Sequence, residues 1–66
     1  MEITVNGRRR ELSGGTTVAR LLDELDLAKH HVAVEVNLEL VPRGRHAEHL
    51  LADGDRVEIV TLVGGG

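Results

Sequence analysis

Sixty-six residues make one domain, and a formal net charge of -3 argues against a nucleic-acid binder, which carries a basic footprint. The chain has no Cys, which excludes disulfides, thiolate metal ligands and a cysteine nucleophile. It also has no Phe, Tyr or Trp, so the core must be Val, Leu and Ile, and no ring can stack on a base.

The first element in "MEITVNGRRREL" is a hairpin. Met1, Ile3 and Val5 alternate with Glu2 and Thr4, the period of a half-buried strand. Asn6-Gly7 is the favoured pair for a type I′ turn, because both residues accept positive φ. The return strand runs from about Arg8 to Leu12, and Ser13-Gly14-Gly15 breaks the chain.

A helix of about ten residues follows in "TTVARLLDELDL", capped by Thr16 or Thr17. Val18, Leu21, Leu22 and Leu25 form its apolar stripe, with Arg20, Asp23 and Glu24 on the wet face. In "HVAVEVNLELVPR", Val32, Val34 and Val36 mark a β-branched strand. Asn37-Leu38-Glu39 turns the chain into a short strand around Leu40 and Val41, which Pro42 closes. "RGRHAEHLLADGD" is a connection with one helical turn expected near Ala47 to Leu50, ending in the turn signal Asp53-Gly54-Asp55. The last strand, "RVEIVTLV", puts Val57 and Ile59 on one face and Glu58, Val60 and Leu62 on the other.

Hairpin, helix, hairpin and final strand imply an α+β fold, one mixed sheet with one helix laid across it. The domain is expected to span residues 1–63, with 64–66 as a flexible glycine tail. No apolar run approaches the ~20 residues of a membrane span, and the N-terminus alternates where a signal peptide is continuously apolar. A cytoplasmic protein with no membrane partner is therefore expected.

The tail is the first candidate for chemistry. Gly64-Gly65-Gly66 follows directly on a strand and ends on a carboxylate. Three extended residues reach about 10 Å, and without Cβ atoms they can thread a narrow channel. Such a tail would carry the carboxylate of Gly66 into another protein's active site, where ATP could activate it. A frayed end with no role also fits. Val60 and Leu62 are the second candidate. If exposed beside the tail they form a docking patch. A twist near the strand end could equally tuck them under a loop.

The remaining candidates have plainer explanations. His46 and His49, spaced i, i+3, lack the partners of a metal site, and all four histidines are expected on the solvated surface. Arg8-Arg9-Arg10 could touch phosphate but fits a solvated edge strand better. Gly14-Gly15 lacks the lysine and spacing of a phosphate loop. Ser13 has no paired histidine and acid to make a hydrolytic triad.

Taken together, "MEITVNGRRREL", "TTVARLLDELDL", "VAVEVNLELVPR" and "LLADGDRVEIVTLVGGG" cover most of the chain and resemble the ThiS/MoaD family of sulfur carriers. "DGD-V-E-I" with a terminal Gly-Gly would also admit the small subunit of molybdopterin synthase. The "VNxxxVPR" pattern and the third glycine favour the ThiS branch, which serves thiamine biosynthesis.

The resemblance implies a ubiquitin-like β-grasp fold of about five strands, with the last strand parallel to the first. It implies no catalytic side chain, no metal and no cofactor held by the chain. An E1-like adenylating enzyme of the ThiF type would adenylate Gly66 with ATP, and Gly64 and Gly65 would thread its active site. A persulfide would supply sulfur, leaving a thiocarboxylate for thiazole synthase of the ThiG type. The patch at Val60 and Leu62, read above from the alternation of the last strand, would dock that enzyme. Three alternatives stay open: a molybdopterin-type carrier, a protein modifier forming isopeptide bonds, and a β-grasp binding module with an inert terminus.

Overall fold

A computed structural model describes residues 1–62. The chain forms β1 (Glu2–Val5), β2 (Arg8–Glu11), α1 (Val18–Glu24), β3 (Val32–Val36), β4 (Glu39–Val41), a 3-10 turn (Arg43–Arg45) and β5 (Arg56–Thr61). The strands make one mixed sheet in the order β2-β1-β5-β3-β4. The last strand therefore sits at the centre, parallel to β1 and antiparallel to β3.

Both hairpins turn on an asparagine in the left-handed region. Asn6 (φ 51°) and Gly7 (φ 82°) join β1 to β2, while Asn37 (φ 53°) and Leu38 (φ 71°) join β3 to β4. Two consecutive positive φ values are the requirement of a type I′ turn, whose twist matches that of the flanking strands.

The helix is shorter than the sequence pattern suggests. It has seven residues and stops at Glu24, although the apolar stripe continues to Leu25. The reason is a Schellman-type cap. Asp26 takes φ 60°, its N–H donates to Asp23 O at 3.1 Å, and Leu27 N–H donates to Leu22 O at 2.7 Å. Leu22 lies in the core and Leu27, half-buried, packs against it, the apolar association that accompanies this motif.

At the other end Thr17 is the cap, its Oγ1 accepting from Arg20 N–H at 3.2 Å. Val18 and Ala19 donate to the carbonyls of His49 (3.0 Å) and His46 (2.8 Å). The connection between β4 and β5 thus satisfies N–H groups that a helix start leaves without partners.

That role moves the helical turn expected at Ala47–Leu50. The 3-10 turn lies earlier, at Arg43–Arg45, directly after Pro42. The carbonyls of His46 and His49 serve α1, and Leu50 and Leu51 meet Thr17 and Thr16, with Leu51 N–H donating to Thr16 O at 2.9 Å.

The core lies between the helix and one face of the sheet. Val18, Leu21 and Leu22 pack with Ile3, Val34, Val36, Val57 and Ile59, and Leu12, Val41 and Leu51 close its margins. Val5, Leu25 and Val32 are half-buried against it. Among the described residues no helix is long and apolar enough to cross a membrane.

Candidate functional site

The end of β5 from which residues 63–66 follow is the centre of the candidate site. Side chains on a strand alternate between faces, so a strand covered on one side shows its other side to solvent. Val57 and Ile59 enter the core, and Val60 and Leu62 remain 58% and 51% exposed. Among the described residues no loop covers Val60 or Leu62. On the same face Val60 stands opposite Ala33, and Glu58 stands opposite Glu35. Leu40, also exposed, pairs with Glu35 from β4.

The strand is held on both flanks close to its end. Toward β3, Val32 pairs with Thr61, and Leu62 N–H donates to His31 O at 2.8 Å. Toward β1, Asn6 N–H donates to Val57 O at 2.8 Å, the last main-chain bond before the β1–β2 turn. The Asn6 side chain then continues the ladder. Its Nδ2 donates to Ile59 O at 3.0 Å, and its Oδ1 accepts from Ile59 N–H at 2.7 Å. Read as a sequence, Asn6 belongs to the turn alone. Its second task depends on β5 arriving beside it from 53 residues away, which no local pattern signals.

Gly64, Gly65 and Gly66, expected to thread a partner, lie outside the described residues, as does Val63.

Of the four histidines, His46 departs from the expected solvated position. It is 8% exposed, and its Nε2 lies 3.0 Å from Val41 O. The cause is again the connection, which must lie against α1 to supply the His46 carbonyl and so carries the ring inward. His49 is half-buried, and His30 and His31 are exposed. Among the described residues no group of three or more His, Cys, Asp or Glu could hold a metal ion.

The arginine triplet lies on β2, at the edge of the sheet. Arg10 turns toward the helix, where its Nη2 lies 3.7 Å from Glu24 Oε1, and Arg20 Nε lies 3.5 Å from the other oxygen of Glu24. Arg8 and Arg9 are exposed. Charges on an edge strand oppose pairing with another sheet. Gly15 (φ 87°) sits in the turn before Thr16, whose Oγ1 donates to Ser13 O at 2.7 Å. The glycine pair thus serves the entry to the helix.

The family model described as the ThiS family matches residues 3–66. A thiazole synthase from Paramagnetospirillum magneticum is 46% identical over 66 residues, all of this chain and 20% of that protein. This chain thus spans about a fifth of that relative's length. The sulfur carrier protein ThiS of Escherichia coli K12 is 33% identical over 66 residues, covering both chains completely. The crystal structure of the thiamine biosynthesis protein ThiS from Geobacter metallireducens superimposes with a TM-score of 0.84 at 35% identity, again over the whole of both chains.

Proposed function

The chain belongs to the ThiS family and has its ubiquitin-like β-grasp fold, and on that premise we propose that it carries sulfur for assembly of the thiazole ring of thiamine. Gly66 is the attachment point. Its carboxylate attacks the α-phosphorus of ATP on an E1-like adenylating enzyme, forming an acyl-adenylate and releasing pyrophosphate. A persulfide sulfur then attacks the acyl carbon and AMP leaves. A second thiol cleaves the resulting acyl disulfide, giving a thiocarboxylate on Gly66 and a disulfide between the two thiols. Thiazole synthase takes the sulfur.

The observation that carries this proposal is the geometry of β5. A central strand is held on both flanks almost to its end, shows Val60 and Leu62 on its open face, and leads in sequence into Gly64-Gly65-Gly66. The patch offers a docking surface for the adenylating enzyme, and the glycines offer a segment without side chains for its active site. The chain brings no thiol of its own, so the sulfur rides on the terminus. Thiazole synthase as the acceptor is supported by the relative of that name, which contains a stretch like this entire chain.

The test is intact mass after incubation with ATP, the cognate adenylating enzyme and a sulfur source. One oxygen exchanged for sulfur is expected at Gly66. Lysine-linked adducts without a thiocarboxylate would instead identify a protein modifier. Gly65→Val keeps the length of the tail and adds bulk. It is expected to abolish ATP–pyrophosphate exchange while leaving the unfolding transition unchanged. An alanine appended after Gly66 shifts the reactive carbon by about 3.5 Å. It is expected to abolish exchange as well, because a misplacement of about 1 Å can already cost a hundredfold in rate. Normal exchange in the extended form would overturn the assignment of Gly66.

A further inference from the structure

Asn6 and Asn37 occupy equivalent places in the two hairpins, and each side chain bonds β5. Both take nearly the same left-handed backbone, φ 51° and 53°. Asn37 holds the start of the strand. Its N–H donates to Arg56 O at 2.8 Å, its Oδ1 accepts from Arg56 N–H at 2.9 Å, and its Nδ2 donates to Asp55 Oδ1 at 2.9 Å. Asn6 holds the other end, through both main-chain groups of Ile59.

Each end is also secured on its other flank, the start by β1 and the exit by β3, which pairs Val32 with Thr61 and accepts the Leu62 N–H on His31 O at 2.8 Å. At the start of β5, Thr4 N–H donates to Asp55 O at 3.0 Å and Thr4 pairs with Arg56, so β1 is still alongside. At the exit β1 has ended, because Gly7 has already turned the chain into β2. Residues facing the same flank of a strand recur every second position. Ile59, two residues beyond Val57, therefore presents its N–H and C=O where β1 no longer supplies partners. The primary amide of Asn6 presents an N–H and a C=O side by side, as a peptide edge does, and it satisfies both. Ile59 lies immediately before Val60 and three residues before Leu62.

We propose that Asn6 is a positioning residue for the carrier chemistry. Its side-chain amide stands in for the missing strand on the β1 side of β5, while β3 still pairs on the other side, and it so fixes the stretch of β5 from which the tail that serves the adenylating enzyme follows in sequence. The proposal rests on the carrier function proposed above. It adds a residue that touches neither ATP nor sulfur and acts through the backbone of Ile59.

Asn37 supplies the control. Asn6→Gly and Asn37→Gly both keep a residue suited to positive φ, so both hairpins are retained, and both remove a side-chain amide from β5. The two variants are compared with the parent by denaturant unfolding, by amide hydrogen exchange, and by ATP–pyrophosphate exchange with the cognate adenylating enzyme over a range of carrier concentrations. In Asn6→Gly the Ile59 amide is expected to exchange about fivefold faster or more, the effect of losing one ordinary hydrogen bond. Its kcat/KM is expected to fall at least about tenfold, chiefly in kcat, as misdirection of a reactive group predicts. Asn37→Gly is expected to keep parental kinetics. Asn6→Asp, which retains the acceptor for Ile59 N–H and loses the donor to its carbonyl, is expected to fall between parent and Asn6→Gly.

Parental kinetics in Asn6→Gly, or equal losses in the two glycine variants, would overturn the positioning role and leave the carrier function standing. An inactive parent chain would overturn both.

Discussion

Ile59 and Val60 are neighbours on β5 with similar side chains and opposite surroundings. Ile59 is 7% exposed and packs under the helix; Val60 is 58% exposed on the open face. The same alternation separates Val57 from Leu62. A single strand thus anchors the domain with one set of branched side chains and displays the other set beside the segment that leads to Gly66. Burial explains the first set completely. It does not explain the second, since polar residues would serve an open face equally well for folding; the docking role proposed for Val60 and Leu62 would supply the reason.

The comparison breaks most visibly on the inner face. Ile59→Ala is expected to lower the unfolding free energy by about 2–5 kcal/mol, a large share of the stability of so small a domain. Denaturant unfolding measures it, and a loss as small as that of a surface substitution would mean that the two faces are not distinct energetically.

On the outer face the effect moves from stability to binding. Leu62→Asp and Val60→Asp are expected to change stability by about 1 kcal/mol or less, the span of strand propensity. They are expected to weaken binding to the adenylating enzyme by about tenfold or more, because a charge must be desolvated at an apolar contact. Calorimetric titration reads this directly, and unchanged affinity in both variants would remove the patch as the interface.

The smallest effect sharpens the contrast by using another exposed leucine. Leu38 is 75% exposed, and its φ of 71° belongs to the region that favours glycine. Leu38→Gly relieves a backbone cost of about 1–2 kcal/mol and adds unfolded-state entropy worth about 0.5–1 kcal/mol. The chain should gain about 0.5 kcal/mol on balance and keep its affinity for the adenylating enzyme. Reduced affinity would show that the docking surface extends beyond the tail end of β5.

Much of this was legible in the residues. Alternation placed Ile3, Val34, Val57 and Ile59 toward the core, the i, i+3, i+4 stripe placed Val18, Leu21 and Leu22 there, and Asn6-Gly7 placed the first turn, because these patterns come from the repeat of a single element and need no partner to be read. The same periodicity put Val60 and Leu62 on the face away from the core. Whether that face would stay open was decided only when the helix covered one side of the sheet and no segment among the described residues covered Val60 and Leu62 on the other. The early end of α1, the inward turn of His46 and the grip of Asn6 on Ile59 were likewise decided by tertiary structure. Each depends on hydrogen bonds or packing whose partners are set by how the chain folds back. Asn6 and Ile59 lie 53 residues apart in sequence, and they meet because closure of the sheet sets the last strand beside the first.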